Sequence, residues 1–220
     1  MASPDRHFAA GALFTETAAP GTPQANDVWL YPKSDGRFYG KDDAGTEFPL
    51  ASTNGSTNFW IPASAWIPRT TTGCGVDSRE LATNKTNYDE LLFDTAADEY
   101  AQALVILPNN YNNSTITARF YWTCSTAVSG GNDRVDWGIQ GRAYANDDAL
   151  DTAFGTAQTV SDTVIATNDM HITSATSAVT IGGTPAANTP ILFQVYRDTT
   201  ADNYGFDARL LGVEISYTAA

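Results

Sequence analysis

Apolar and polar residues alternate with period two through most of the chain after residue 58, and that pattern predicts strands. The clearest run is Thr115 to Thr123, where Ile116, Ala118, Phe120, Trp122 and then Cys124 share one face. Thr115, Thr117, Arg119 and Tyr121 share the other. Arg134 to Tyr144 repeats the pattern, with Val135, Trp137, Ile139 and Ala143 inward and Arg134, Asp136, Gln140 and Arg142 outward. From Pro190 onward, Ile191, Phe193 and Val195 alternate with Leu192, Gln194 and Tyr196. Near the C-terminus Leu211, Val213, Ile215 and Tyr217 fall on one face, opposite Gly212, Glu214 and Ser216. These last two runs, joined by a turn-rich connector from Asp198 to Gly205, are expected to pair antiparallel and close a sheet. Adjacent Leu210 and Leu211 beside Gly212 break the alternation and predict a β-bulge.

Other segments are less regular. Ala103 to Leu107 is a continuous apolar run stopped by Pro108-Asn109-Asn110, the pattern of a central strand. Shorter strands are expected at Thr159 to Ala166, Met170 to Thr173 and Val179 to Ile181. Ser78 to Leu92 is mixed and admits a helical turn, and Asp147 to Phe154 reads as a short helix with an Asp cap. The sum is about eight strands between Phe59 and Tyr217 with little helix. That spacing predicts an all-β protein whose main domain is a jelly-roll-like β-sandwich. No repeat of 20 to 50 residues is present, which excludes solenoids and propellers.

Upstream of this domain the pattern changes. Residues 1–26 are rich in Ala, Pro, Gly and Thr without periodicity and read as an extended arm, ordered only where a neighbouring subunit or another protein ties it down. Residues 27–50 read as a small β-meander. Val28, Trp29, Leu30 and Tyr31 begin a strand, Pro32 to Gly36 turns it, Phe38 and Tyr39 return, and Lys41 to Gly45 turns again before Phe48. So small a meander must pack on something else. Residues 51–57 are a small-residue linker, and residues 58–220 form the sandwich domain.

Charge narrows the partners. A net charge of −13 over 220 residues, with lysines only at 33, 41 and 85, argues against nucleic acid, whose phosphates require basic residues. No apolar run is long enough to cross a bilayer, so no membrane partner is expected. The N-terminus lacks the basic start and apolar stretch of a signal peptide, and synthesis in the cytoplasm without export by that route is expected. Cys74 and Cys124 are expected as free buried thiols.

No residues combine into an active site. Asp136, Asp147, Asp148, Asp151, Asp202 and Asp207 are acid–base candidates by type alone, and most sit in turn-like stretches. His7 and His171 lack a nucleophile motif, and two histidines with two cysteines give no zinc spacing. The glycine pairs at 130–131 and 182–183 lack the Lys-Ser/Thr of a phosphate loop. The paired aspartates lack the spacing of a calcium loop. Trp60, Trp66, Trp122 and Trp137 are in phase with core residues and are expected to be buried rather than to stack on sugars. The reading is therefore a non-enzymatic protein with no catalytic residues, no metal and no cofactor.

Two stretches resemble a known family. Val28 to Glu47 (Val-Trp-Leu-Tyr-Pro-Lys-Ser-Asp-Gly-Arg-Phe-Tyr-Gly-Lys-Asp-Asp-Ala-Gly-Thr-Glu) is similar to a β-meander near the N-terminus of virion surface proteins of tailed bacteriophages, where it commonly lies between a virion-binding segment and a distal domain. Val195 to Asp198 with Asp207 to Tyr217 resembles the C-terminal end of small phage structural proteins similar to viral jelly rolls. The resemblance implies a phage virion surface protein, with Val28, Trp29, Leu30, Tyr31, Phe38, Tyr39 and Phe48 as the virion-anchor candidates, and the length of the chain makes a capsid decoration (cement) protein the expected kind. The resemblance also implies a homotrimer whose partner is the major capsid protein or another virion protein. The alternative is a short tail-fibre or head-fibre protein that binds host-surface carbohydrate. At about 3.3 Å per strand residue the chain leaves no sequence for a shaft, which favours a compact knob.

Overall fold

The computed structural model describes residues 14–50, 55–126 and 132–219. The arm residues 1–13 with His7, the linker residues 51–54 and the glycine pair at 130–131 lie outside them. The chain divides into two compact units, Met1–Gly55 and Ser56–Ala220.

The first unit is a three-stranded antiparallel sheet of β1 (Trp29–Pro32), β2 (Phe38–Lys41) and β3 (Glu47–Pro49) in sequence order. Gly36 and Gly45 take φ of 77° and 84° at the two turns, conformations that a side chain disfavours. The described part of the arm lies along this meander. The Thr17 amide donates to the Pro32 carbonyl (3.0 Å), Lys41 Nζ to the Pro20 carbonyl (2.8 Å) and the Asn26 amide to Asp43 Oδ2 (2.7 Å).

The second unit is the sandwich. Its strands are β4 (Ser56–Pro62), β5 (Ile67–Pro68), β6 (Gly75–Glu80), β7 (Asn87–Phe93), β8 (Tyr100–Ile106), β9 (Tyr111–Cys124), β10 (Arg134–Ala143), β11 (Gln158–Thr163), β12 (His171–Ile172), β13 (Pro190–Arg197) and β14 (Ala208–Ala219). One sheet has the order β11-β10-β13-β8-β5, and the other β12-β9-β14-β7-β6 with β4 also on β14. The eight strands β7 to β14 are thus split four and four, β7-β14-β9-β12 against β8-β13-β10-β11, which is jelly-roll order. The protein is all-β, with one 3-10 turn at Ala63–Ala65 among the described residues.

The core lies between the sheets. Trp137 of β10 stacks on Phe120 of β9 at 5.5 Å between ring centres and meets Phe93 of β7 edge-on at 5.2 Å. Both cysteines are buried and free. Burial pushes the Cys74 thiol up to about 12 and raises that of Cys124, so neither is poised as a thiolate.

Several expectations are corrected. β13 and β14 do not pair: β13 lies between β10 and β8, and β14 between β9 and the β7/β4 edge. Alternation fixes which face a residue takes but not which strand lies beside it, and in a jelly roll these two strands belong to opposite sheets. The bulge falls at Leu211: Leu210 faces Trp122 in register and Gly212 faces Tyr121. Leu210 therefore takes the inner face with Val213, Ile215 and Tyr217, and Leu211 is turned outward.

Ser78 to Leu92 forms no helix beyond a single turn at its tip, where the Lys85 amide donates to the Leu81 carbonyl (3.0 Å); the rest is β6 and β7, paired as a hairpin closed at Leu81 and Thr86. Asp147 to Phe154 holds no helix either. Asp147 takes φ of 73°, and the Asp148 carboxylate receives the Ala145 amide at 2.8 Å, which makes a turn. Val179 to Ile181 forms no strand and bridges only at Val179 to Ile116. Ser56 and Thr57, linker by composition, open β4 and pair with Thr218 and Tyr217. Asp136, placed outward by pattern, is only 5% exposed, where it accepts from Arg134 Nε (3.1 Å) and Ser161 Oγ.

Candidate functional site

The seven anchor candidates separate by face. Cross-strand partners in an antiparallel sheet share a face, so Leu30, Gly40 and Phe48 stand together, next to the pair Pro32 and Phe38. The Phe48 ring lies over Gly40, a close approach that any Cβ there would obstruct. Phe14 meets Phe38 edge-on at 5.0 Å. Leu30, Phe38 and Phe48 are 61%, 38% and 39% exposed, and Leu50 and Val28 are also exposed. This is an apolar sheet face in a unit whose buried core, among the described residues, has Tyr31 as its one large hydrophobic side chain. Trp29 is exposed too, but on the opposite face.

That opposite face carries an ionic network instead. Tyr31 is buried, stacks near Tyr39, and donates its hydroxyl to Glu47, which also receives Lys33 Nζ at 2.6 Å. Tyr39 in turn donates to Asp35 Oδ2 at 2.7 Å. Tyr31 and Tyr39 therefore hold the meander together rather than extend its apolar surface. Burial and the Glu47 carboxylate push the Tyr31 phenol up to about 12, while the Lys33 and Tyr31 hydrogen bonds hold the Glu47 carboxyl below its usual range. A depressed carboxyl stabilises the fold above its ordinary value of about 4.3 and loses that contribution as pH falls through the lowered one. Acidification should therefore loosen the meander. Amide exchange at Lys33 and Asp42, corrected for intrinsic rate, should show lost protection in the parent chain and a flat profile in Glu47→Gln. Equal profiles would contradict the role of Glu47.

In the sandwich, an open groove of about 470 Å³ lies where the neighbour of β14 changes. Along one edge β14 pairs with β7 as far as Leu210 and with β4 from Gly212 onward. The bulged Leu211 sits at the change and lines the groove with Trp60 and Pro62 of β4, Tyr88 and Asp89 of β7, Thr123 of β9, and Asn168, Asp169 and Met170. Three local features build it. Gly212 leaves room for the Trp60 ring, which a Cβ there would strike. Tyr121 meets Trp60 edge-on at 4.9 Å and fixes its tilt. Asn168 adopts φ of 60° with its amide on the Cys124 carbonyl (2.8 Å), and this turn presents Asp169 and Met170.

The expectation that Trp60 is buried is corrected: it is 47% exposed, whereas Trp66, Trp122 and Trp137 are at most 3% exposed. In β4 the apolar Ile61 faces inward and Trp60 faces the outer side. Beside the groove, the outer face also buries polar groups. Arg209 pairs with Glu90, and Arg209 lies in register with Thr123. Thr123 Oγ1, Glu90 Oε2 and Arg209 Nε have no hydrogen-bond partner among the described residues. Burial pushes the Glu90 carboxyl up against the pull of Arg209 and Arg79.

The other chemical candidates stay apart. His171 is buried against Trp122, with Nε2 accepting the Ile165 amide (2.8 Å) and Nδ1 facing the Asp169 carbonyl (3.0 Å), so both ring nitrogens serve the fold. Asp202 is paired with Arg197. Among the described residues no group of three or more His, Cys, Asp or Glu is placed to hold a metal ion, and no helix is long and apolar enough to cross a membrane.

No protein-family model matches the chain, and no curated protein does. Among solved structures it is similar to a carbohydrate-binding module in complex with β-1,4-galactotriose (TM-score 0.34, 10% identity, 71% of this chain and 90% of that one). It is similar to a glycoside hydrolase-like protein from Bacteroides thetaiotaomicron (0.30, 9%, 88% and 78%). A third is a structure from a study of carbohydrate-binding modules of the β-sandwich superfamily (0.29, 10%, 88% and 73%). At these scores and identities the likeness carries no argument about ligand or reaction.

Proposed function

We propose that the chain is a virion structural protein of a tailed bacteriophage, a capsid decoration protein that attaches through its first unit and carries the sandwich as a knob. The observation that carries this reading is the apolar face of Leu30, Phe38 and Phe48, exposed on a meander that its own fold does not need to cover. The similarity of Val28 to Glu47 to phage surface proteins supports the same role. The partner is the major capsid protein or another virion protein, and the role is mechanical rather than enzymatic. Many weak apolar and strand contacts made at once would clamp neighbouring capsid subunits. The test is whether residues 56–220 alone still decorate particles stripped of the chain.

The proposed assembly is a homotrimer, and the sandwich offers a surface for it. Leu104 and Ile106 of β8 and Ile67 of β5 are 66%, 68% and 73% exposed on the outer side of the five-stranded sheet. β8 thus has the apolar run of a central strand with one side uncovered. Leu104→Glu with Ile106→Glu should turn a trimer at micromolar concentration into a monomer by light scattering, with unfolding little changed. A parent chain that is monomeric there would contradict the assembly.

A second reading, a short head or tail fibre in contact with host-surface carbohydrate, is favoured by the groove beside Trp60 and by nothing in the first unit.

A further inference from the structure

We propose that the groove at the β14 bulge binds a neutral oligosaccharide, with one pyranose ring stacked on Trp60. The proposal rests on the second reading only for the host as source of the glycan, and it is independent of how the chain attaches to a particle.

A sugar ring has an apolar C–H face and a rim of hydroxyls, and the groove offers both complements. The half-exposed Trp60 ring is held at a fixed tilt by Tyr121 and seated over Gly212, so it is a rigid platform. Leu211 and Met170 continue the apolar floor, while Asp89, Asn168 and Asp169 stand exposed at its rim as hydrogen-bonding groups. Asp89 keeps one oxygen on Ser78 Oγ (2.7 Å), which steadies the carboxylate and leaves the other oxygen for a ligand hydroxyl.

A second observation points to a polar ligand. Thr123 lines the groove, is 3% exposed, and its Oγ1 has no partner among the described residues. A buried hydroxyl without a partner is costly, and a sugar hydroxyl would satisfy it.

Charge selects among sugars. The rim carboxylates and the net charge of −13 oppose uronic, sialic or sulfated ligands. The nearby Arg209 cannot offset this, because its guanidinium is paired with Glu90. The volume of about 470 Å³ lies within the usual range of small-ligand sites, about 300–1,000 Å³.

The test titrates the full chain by calorimetry with cellohexaose, maltohexaose and chitohexaose, and with a hyaluronan hexasaccharide as the acidic counterpart. At least one neutral sugar should bind and the acidic one should not. Trp60→Ala should weaken binding at least tenfold. Thr123→Val, which removes the orphaned hydroxyl at nearly constant volume, should weaken it severalfold without lowering stability. The proposal is overturned if no neutral sugar binds at 5 mM, if the acidic sugar binds as well, or if both variants bind like the parent in a folded state. A separate measurement addresses the second reading: particles carrying Trp60→Ala that adsorb normally to host cells would remove the host role and leave the groove assignment intact.

Discussion

Replacing Arg197 by methionine is expected to lower the stability of the sandwich by about 3–5 kcal/mol, the scale for breaking a buried ion pair from one side. Arg197 ends β13 and is fully buried. Its Nε and Nη2 donate to Asp202, and its Nη1 donates to the carbonyls of Phe93 (3.0 Å), Asp94 (3.2 Å) and Phe206 (2.8 Å). Nη2 also reaches the Tyr204 carbonyl. One side chain of the five-stranded sheet thus ties the end of β7, in the other sheet, to the connector that leads into β14. Methionine would fill the stem and leave a 5% exposed carboxylate and four carbonyls without their donor. Lysine keeps the charge but not the planar fork, so Arg197→Lys should recover only part of the loss. Urea unfolding measures both. A loss below about 1 kcal/mol for Arg197→Met would show that the connector is held by something else.

Removing residues 1–55 is expected to leave the sandwich folded with nearly unchanged stability and to abolish attachment to particles. Among the described residues the buried core cluster runs from Ile61 to Tyr217, all within the unit Ser56–Ala220. The cut must fall at Gly55 and not at Thr57, because Ser56 and Thr57 pair with β14. The apolar face of Leu30, Phe38 and Phe48 would be lost entirely, and with it every contact assigned to the capsid. Because those contacts act together in an oligomer, their removal should cost far more than any single side chain.

The strands with one dry face were readable in the sequence. β9 and β14 bury one alternating set along most of their length, β10 buries its predicted set and also Asp136 and Gly138 opposite it, and the Leu-Leu-Gly of β14 announced its bulge. Which strands flank β13 and β14 was not readable, since alternation carries no information about the neighbouring strand. Arg197 explains part of that gap: its hydrogen bonds span 104 residues of sequence to reach Phe93. The short helix at 147–154 failed because an Asp that caps a turn looks the same, in sequence, as one that caps a helix. Trp60 was misplaced because Phe59, Trp60 and Ile61 are all apolar, so the phase of β4 cannot be read from them. The groove was invisible for a further reason. Its lining comes from six separate stretches of chain that only the bulge and the change of strand partner bring together.

Attachment through the first unit is decided by co-sedimentation with phage particles stripped of the chain. The full chain and residues 56–220 are added at equal concentration, and the protein that pellets with the particles is quantified. The full chain should pellet to saturation at a fixed number of copies per particle, and residues 56–220 should stay in the supernatant while remaining folded by circular dichroism. Equal decoration by the two would contradict the division of labour and place the capsid contact on the sandwich.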